Sequence, residues 1–294
     1  MYAARRRPEQ DVLELRGLRI HLWRWPGQQP RPLVLLHGWM DTGETFQFLA
    51  DQLSSRYTLV APDLRGFGRS DRAREGYWFP QYLADLDALL EALSPTLPVV
   101  LLGHSMGGNI AGLYAGARPE RIDRLIALES FGLPRTSPEM APLRYREWLE
   151  QLRRDVGLPS YAGWDAFTAV LAKRNPRVAP DVIEFVARAW AEELPDGRVV
   201  LRADPNHRRI NPTLYRREEA EACWSATAAP VLWLLAEHSE YLGGVAAEVQ
   251  QERVAQLYRD VRVRMIPGVG HMLHYERPDL VASEIERFLE GVRG

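Results

Sequence analysis

Hydrophobic residues along this chain fall into two alternating kinds of run. Short runs rich in leucine and β-branched residues, at 33–36, 57–61, 99–103, 125–128, 231–236 and 261–266, predict buried strands. Between several of them, at 44–53, 80–93, 106–117, 246–258 and 278–289, apolar residues recur three and four apart and predict helices. Fully apolar strands alternating with helices predict an α/β protein with a mostly parallel sheet, because only such a sheet is buried on both faces. The first strands differ. Runs at 12–15 and 18–23 are separated only by Arg16-Gly17, which predicts an antiparallel hairpin.

The rhythm breaks after Leu133. From 134 to 222 no buried strand is expected, and helical stretches at 143–156, 163–173, 180–193 and 216–223 are separated by turns at Pro159, Pro176, Pro195-Asp196-Gly197 and Pro205. Strand rhythm resumes at Pro230. A block this long cannot be a loop. It predicts a core domain formed by 1–133 and 223–294 and a helical lid at 134–222 over the C-terminal edge of the sheet, where ligands bind in folds of this class.

The strongest chemical signal is Gly103-His104-Ser105-Met106-Gly107, between a predicted strand and a predicted helix. In that context G-x-S-x-G is a nucleophile elbow. The turn is too tight for side chains two residues before or after the serine, and it holds the hydroxyl clear of the sheet beside the backbone N–H of Met106. A second signal, His37-Gly38-Trp39, follows the strand at 33–36, and there the N–H of Trp39 supplies a second donor for a developing oxyanion. Trp39 and Met106 are also the expected walls of the substrate pocket, while His37 is expected to brace the loop.

With these motifs on its strand ends, the chain resembles the serine-nucleophile branch of the α/β-hydrolase superfamily. Two further segments match in order: Asp63-Leu-Arg-Gly-Phe-Gly-Arg-Ser70, expected to be structural, and Pro267-Gly-Val-Gly-His271 after the last strand. The resemblance implies an eight-stranded sheet, no cofactor, and His271 as general base. The family's usual acid is an aspartate after the strand following the lid, but that position reads Ser239, which carries no charge to orient the base. Two glutamates are available instead. Glu129 ends the strand at 125–128, where some relatives carry their acid, and is favoured because a lone carboxylate among apolar neighbours is costly unless used. Glu240 is the alternative. Arg202-Ala-Asp-Pro205 ahead of Asn211-Pro-Thr213, with the displaced acid, most resembles the serine hydrolase-like proteins.

The expected activity is cleavage of a small or medium acyl ester through an acyl-enzyme. C–C bond hydrolases, thioesterases and perhydrolases share the same constellation, and fold and triad do not separate them. A non-catalytic ligand-binding homologue is the reading from a different class, favoured by Ser239. His271 and His274 have the spacing of a metal pair, but no nearby carboxylate or cysteine cluster in the sequence supports one, so no metal is expected and His274 is read as a pocket or surface residue.

Composition adds limits. Across 294 residues, 37 basic against 39 acidic side chains leave a net charge of −2, so no overall field draws the chain to nucleic acid or to an anionic membrane. A single cysteine, Cys223, excludes an intramolecular disulfide. The basic start, Arg5-Arg6-Arg7, leads into no apolar stretch of signal-peptide length, and a soluble cytoplasmic protein with a small-molecule acyl substrate is expected.

Overall fold

A computed structural model describes residues 2–74, 76–241 and 256–291. Eight strands form the central sheet in the order β1-β2-β4-β3-β5-β6-β10-β11. They are β1 (Glu9–Leu15), β2 (Leu18–Trp25), β3 (Gln29–Leu36), β4 (Tyr57–Pro62), β5 (Val99–His104), β6 (Ile122–Leu128), β10 (Val231–Ala236) and β11 (Val261–Ile266). β1 and β2 pair antiparallel across a two-residue turn in which Arg16 and Gly17 both have positive φ, the geometry that matches the twist of a tight hairpin. β2 also meets β4 antiparallel, and all later pairings are parallel. Every residue of β10 is buried, as a strand covered on both faces requires. The edge strand β11 instead shows Arg264 and Met265 to solvent, a charge that discourages edge-to-edge pairing.

Helices α1 (Gln47–Leu53), α2 (Phe79–Leu93) and α3 (Met106–Ala117) cover the sheet, with α8 (Leu273–Glu276) and α9 (Pro278–Leu289) after its last strand. The run at 44–53 divides, since a 3-10 turn (Gly43–Phe46) precedes α1. The helix expected at 246–258 lies mostly outside the described residues. Among the described residues no helix is long and apolar enough to cross a membrane.

Between β6 and β10 stand α4 (Ala141–Leu152), α5 (Trp164–Arg174), α6 (Pro180–Trp190) and α7 (Arg217–Ala226). This insertion also holds strands, contrary to expectation: β7 (Ser160–Tyr161), β8 (Ala191–Glu193) and β9 (Val199–Leu201) form a small antiparallel sheet in the order β7-β9-β8. The helix expected to run to Glu193 therefore stops at Trp190, because residues 191–193 pair with β9 across the Pro195-Asp-Gly197 turn. Phe167, Leu171, Ile183 and Val186 of α5 and α6 pack with Phe48 and Tyr275, which fastens the insertion to the sheet-covering helices. α4 buries none of its residues, and Leu143 and Leu149 are 55% and 51% exposed. α7 lies against α3, where any side chain on Gly116 would collide with the Cys223 backbone, so the boundary expected at 222 falls inside a helix packed on the core.

Candidate active site

The C-terminal ends of β5, β6 and β11 converge on one group of side chains. At the end of β5, Ser105 has φ 51° and ψ −115°, a strained backbone that L residues avoid unless their surroundings impose it. The surroundings do so here. A Cβ on Gly103 would overlap the Gly107 backbone, and one on Gly107 would overlap the Leu36 carbonyl. The Ser105 N–H donates to the Leu128 carbonyl at 2.9 Å, and its own carbonyl starts the α3 ladder at Asn109, 3.0 Å away. Ser105 is left half-exposed at the helix N-terminus.

Glu129 follows β6 directly, also at positive φ (49°), and is 1% exposed. Its carboxylate has two partners. Oε1 accepts the Ala236 N–H at 2.7 Å, and Oε2 lies 3.2 Å from His271 Nδ1. A carboxylate only accepts, so this contact assigns the imidazole proton to Nδ1 and leaves Nε2 bare. Glu240 is exposed, and Ser239 Oγ accepts the Tyr241 N–H at 3.3 Å. Of the two candidate acids, the fold brings Glu129 to His271.

The His271 loop is pinned from several sides. The Gly270 N–H donates to Glu276 Oε2 at 2.9 Å, and the Val269 carbonyl accepts the His238 N–H at 2.9 Å. The His271 carbonyl accepts the His104 Nε2–H at 3.0 Å. Tyr241, which the sequence reading passed over, lies with its ring centroid 4.4 Å from that of His271.

The His37-Gly38-Trp39 loop sits against the elbow. A Cβ on Gly38 would stand 3.0 Å from His104 Nδ1, a tight contact, and 3.5 Å from Ser105 Cβ, so this glycine lies directly against the elbow. His37 is a brace. Its Nδ1–H donates to the Gly38 carbonyl at 2.8 Å and its Nε2 accepts the Leu64 N–H at 2.9 Å. Burial lowers its pKa, which keeps the ring neutral, as that pattern needs. Trp39 is 55% exposed, and Met106, next to Ser105 in the chain, is half-buried.

Two residues behind this group depart from the sequence reading. His274 is neither a pocket nor a surface residue but completely buried, with its ring 4.3 Å from that of His104 and 5.6 Å from Phe46. Asp41, which carried no expected role, is a buried hub. It accepts from the Thr42 N–H (2.7 Å), Thr45 Oγ (2.8 Å), Trp190 Nε1 (2.6 Å) and Tyr275 Oη (2.6 Å). Two of these donors lie 149 and 234 residues away, so only an acidic residue set among apolar loop neighbours hinted at it. The Asp63 loop is structural. Asp63 accepts from Trp23 Nε1 and from the Gly43 and Arg69 N–H groups, and Ser70 Oγ closes the turn onto the Asp63 carbonyl.

A parallel-rich sheet with an elbow serine, a carboxylate-held histidine and a glycine loop beside them defines an α/β hydrolase. The sequence profile of the alpha/beta hydrolase fold family matches residues 31–278, and the chain belongs to that family. It is 27% identical over 275 residues to a serine hydrolase-like protein of Danio rerio, covering 90% of this chain and 83% of that protein. It is 25% identical over 262 residues to a 2-(acetamidomethylene)succinate hydrolase of Mesorhizobium japonicum, covering 88% of each. The thioesterase domain from the curacin biosynthetic pathway superposes with a TM-score of 0.83 over 95% of this chain and 99% of its own. At 23% identity, that likeness speaks to the fold alone.

Proposed function

We propose that the protein is a serine hydrolase that cleaves a small or medium acyl ester through Ser105, His271 and Glu129, beneath a lid formed by the helical insertion. The observation that carries this reading is the 3.2 Å contact of Glu129 with His271 Nδ1, on the strand end next to the elbow serine. In the proposed reaction His271 Nε2 takes the Ser105 proton as Oγ bonds to the ester carbonyl carbon. The N–H groups of Trp39 and Met106 receive the oxyanion, and Glu129 stabilises the imidazolium. The imidazolium returns its proton to the departing alcohol as the C–O bond breaks. Water, deprotonated by the same nitrogen, then releases the acid and restores Ser105.

The test is intact-mass labelling with a fluorophosphonate. One adduct per wild-type chain and none on Ser105→Ala is the expected result. A folded wild type that takes no label would overturn the hydrolase reading and favour the ligand-binding homologue.

A further inference from the structure

We propose that Asp41, His104 and His274 form a buried site for one divalent transition-metal ion of the zinc type, directly behind the His271 loop. All three side chains are buried, and one donor atom from each lies within 4.8 Å of the others. Two neutral imidazoles and a carboxylate are a donor set that suits zinc and its neighbours in the series.

Each donor is prepared for this role. The Nε2–H of His104 is committed to the His271 carbonyl, so its Nδ1 carries a lone pair, and that Nδ1 meets no partner among the described residues. Metal-ligating histidines are characteristically fixed in this way, with the second N–H on a backbone carbonyl. His274 offers both ring nitrogens, and neither has a partner among the described residues, an expensive arrangement for a buried imidazole unless something accepts or donates there. Asp41 is held by Trp190, Tyr275, Thr45 and the Thr42 N–H. Three of these bonds fall on Oδ1, which leaves Oδ2 engaged by Tyr275 alone. With bonds of roughly 2.1 Å, tetrahedral zinc needs donors roughly 3.4 Å apart, so the side chains must draw in by roughly an ångström.

The site adjoins the proposed chemistry. The His104 and His271 ring centroids are 4.7 Å apart. A dication on His104 would disfavour the imidazolium that His271 must form, so zinc is expected to lower turnover. Only that consequence rests on the hydrolase reading; binding does not.

The test uses the full chain, freed of metal by a chelator and titrated with Co²⁺ while visible absorption and calorimetric stoichiometry are recorded. One equivalent should bind, with the intense bands of a low-coordinate nitrogen and oxygen site. His274→Leu and Asp41→Asn should each lose the bands and about 100-fold or more in affinity, and His238→Ala, an exposed control, should lose neither. His274→Leu should melt no lower than wild type, since it removes unpartnered polar atoms from the interior. Absence of binding to the wild type, or bands that survive in both site variants, would overturn the proposal. Ester turnover measured in parallel keeps the readings apart, because a chain that hydrolyses nothing still reports the metal by its spectrum.

Discussion

Glu129→Gln changes one atom and reverses the logic of the imidazole. The amide oxygen can still take the Ala236 N–H, now received by Oε1 at 2.7 Å. The amide nitrogen then faces His271 Nδ1 and can only donate. That forces the ring proton onto Nε2, where it blocks transfer from Ser105. The lost charge adds to this. A carboxylate 3.2 Å from the imidazole is worth about 5 kcal/mol to the imidazolium at an effective dielectric of about 20. At 1.36 kcal/mol per tenfold in rate, that is a loss of about 10³–10⁴ in kcat, the size that loss of a triad carboxylate brings elsewhere. Steady-state hydrolysis of a chromogenic short-chain ester reads it directly, with a thermal melt to show that the variant is folded. KM should change little, because the carboxylate acts on charge that develops only in the transition state. Glu240→Gln, on an exposed side chain, should stay within about twofold of wild type. A folded Glu129→Gln enzyme within tenfold of wild type, or a Glu240→Gln enzyme crippled in its place, would refute the reasoning.

Gly103→Ala sets a Cβ into the Gly107 backbone, which cannot yield as a flexible side chain would, so a loss of about 3 kcal/mol or more, together with fluorophosphonate labelling, is expected from denaturant melts and intact mass. Trp190→Phe removes the indole donor to buried Asp41 and should cost about 1–3 kcal/mol, read as a lowered melting temperature; an unchanged melt would mean that this bond does not fasten the insertion. Asp63 gives a pH-dependent test. Burial alone would raise its pKa, but the hydrogen bonds from His21 and from the Arg69 and Gly43 N–H groups outweigh burial and hold it below the ordinary carboxylate value. A depressed folded pKa contributes stability above the unfolded value of about 3.9 and loses it as pH falls through the folded value. Asp63→Asn should therefore be less stable than wild type at pH 7, and the gap should close below about pH 4. A gap independent of pH would show that the hydrogen bonds, not the charge, carry the effect.

Elements that bury a whole strand were plain in the sequence because their composition is their environment. β10 begins and ends where its hydrophobic run does. The small sheet in the insertion was not, since strands of two and three residues are too short to show a period of two. The end of α6 was hidden for a related reason. Ala191, Glu192 and Glu193 continue the helical pattern acceptably, and only pairing with Val199–Leu201 turns them into strand. The elbow was legible because its signature is local: Gly103, Ser105 and Gly107 fall within one five-residue window, even though the backbone that excludes a side chain at Gly107 is that of Leu36. His274 and Asp41 were not, because what surrounds them comes from β5, α6 and the loop after β3, and no window of sequence contains all three.

In the proposed triad the acid sits one strand away from the family's usual place, and the strand order explains how that arrangement can work. Strand order places β6 between β5, which carries the serine, and β10, where the family's usual acid follows. β6 and β10 are in parallel register with Leu128 opposite Leu234, so Glu129 stands level with Leu235 and its side chain reaches the Ala236 N–H. That N–H belongs to the last residue of β10, three positions before Ser239. A carboxylate leaving β6 with one more methylene than aspartate thus arrives over the end of β10, close to the place from which an acid at 239 would start. The histidine loop meets a negative charge from the same side in either case. What the proposed mechanism requires is a carboxylate at that point over the sheet edge, and two adjacent strand ends can deliver it. A sequence rule that names one loop for the acid records the commoner delivery rather than the physical requirement.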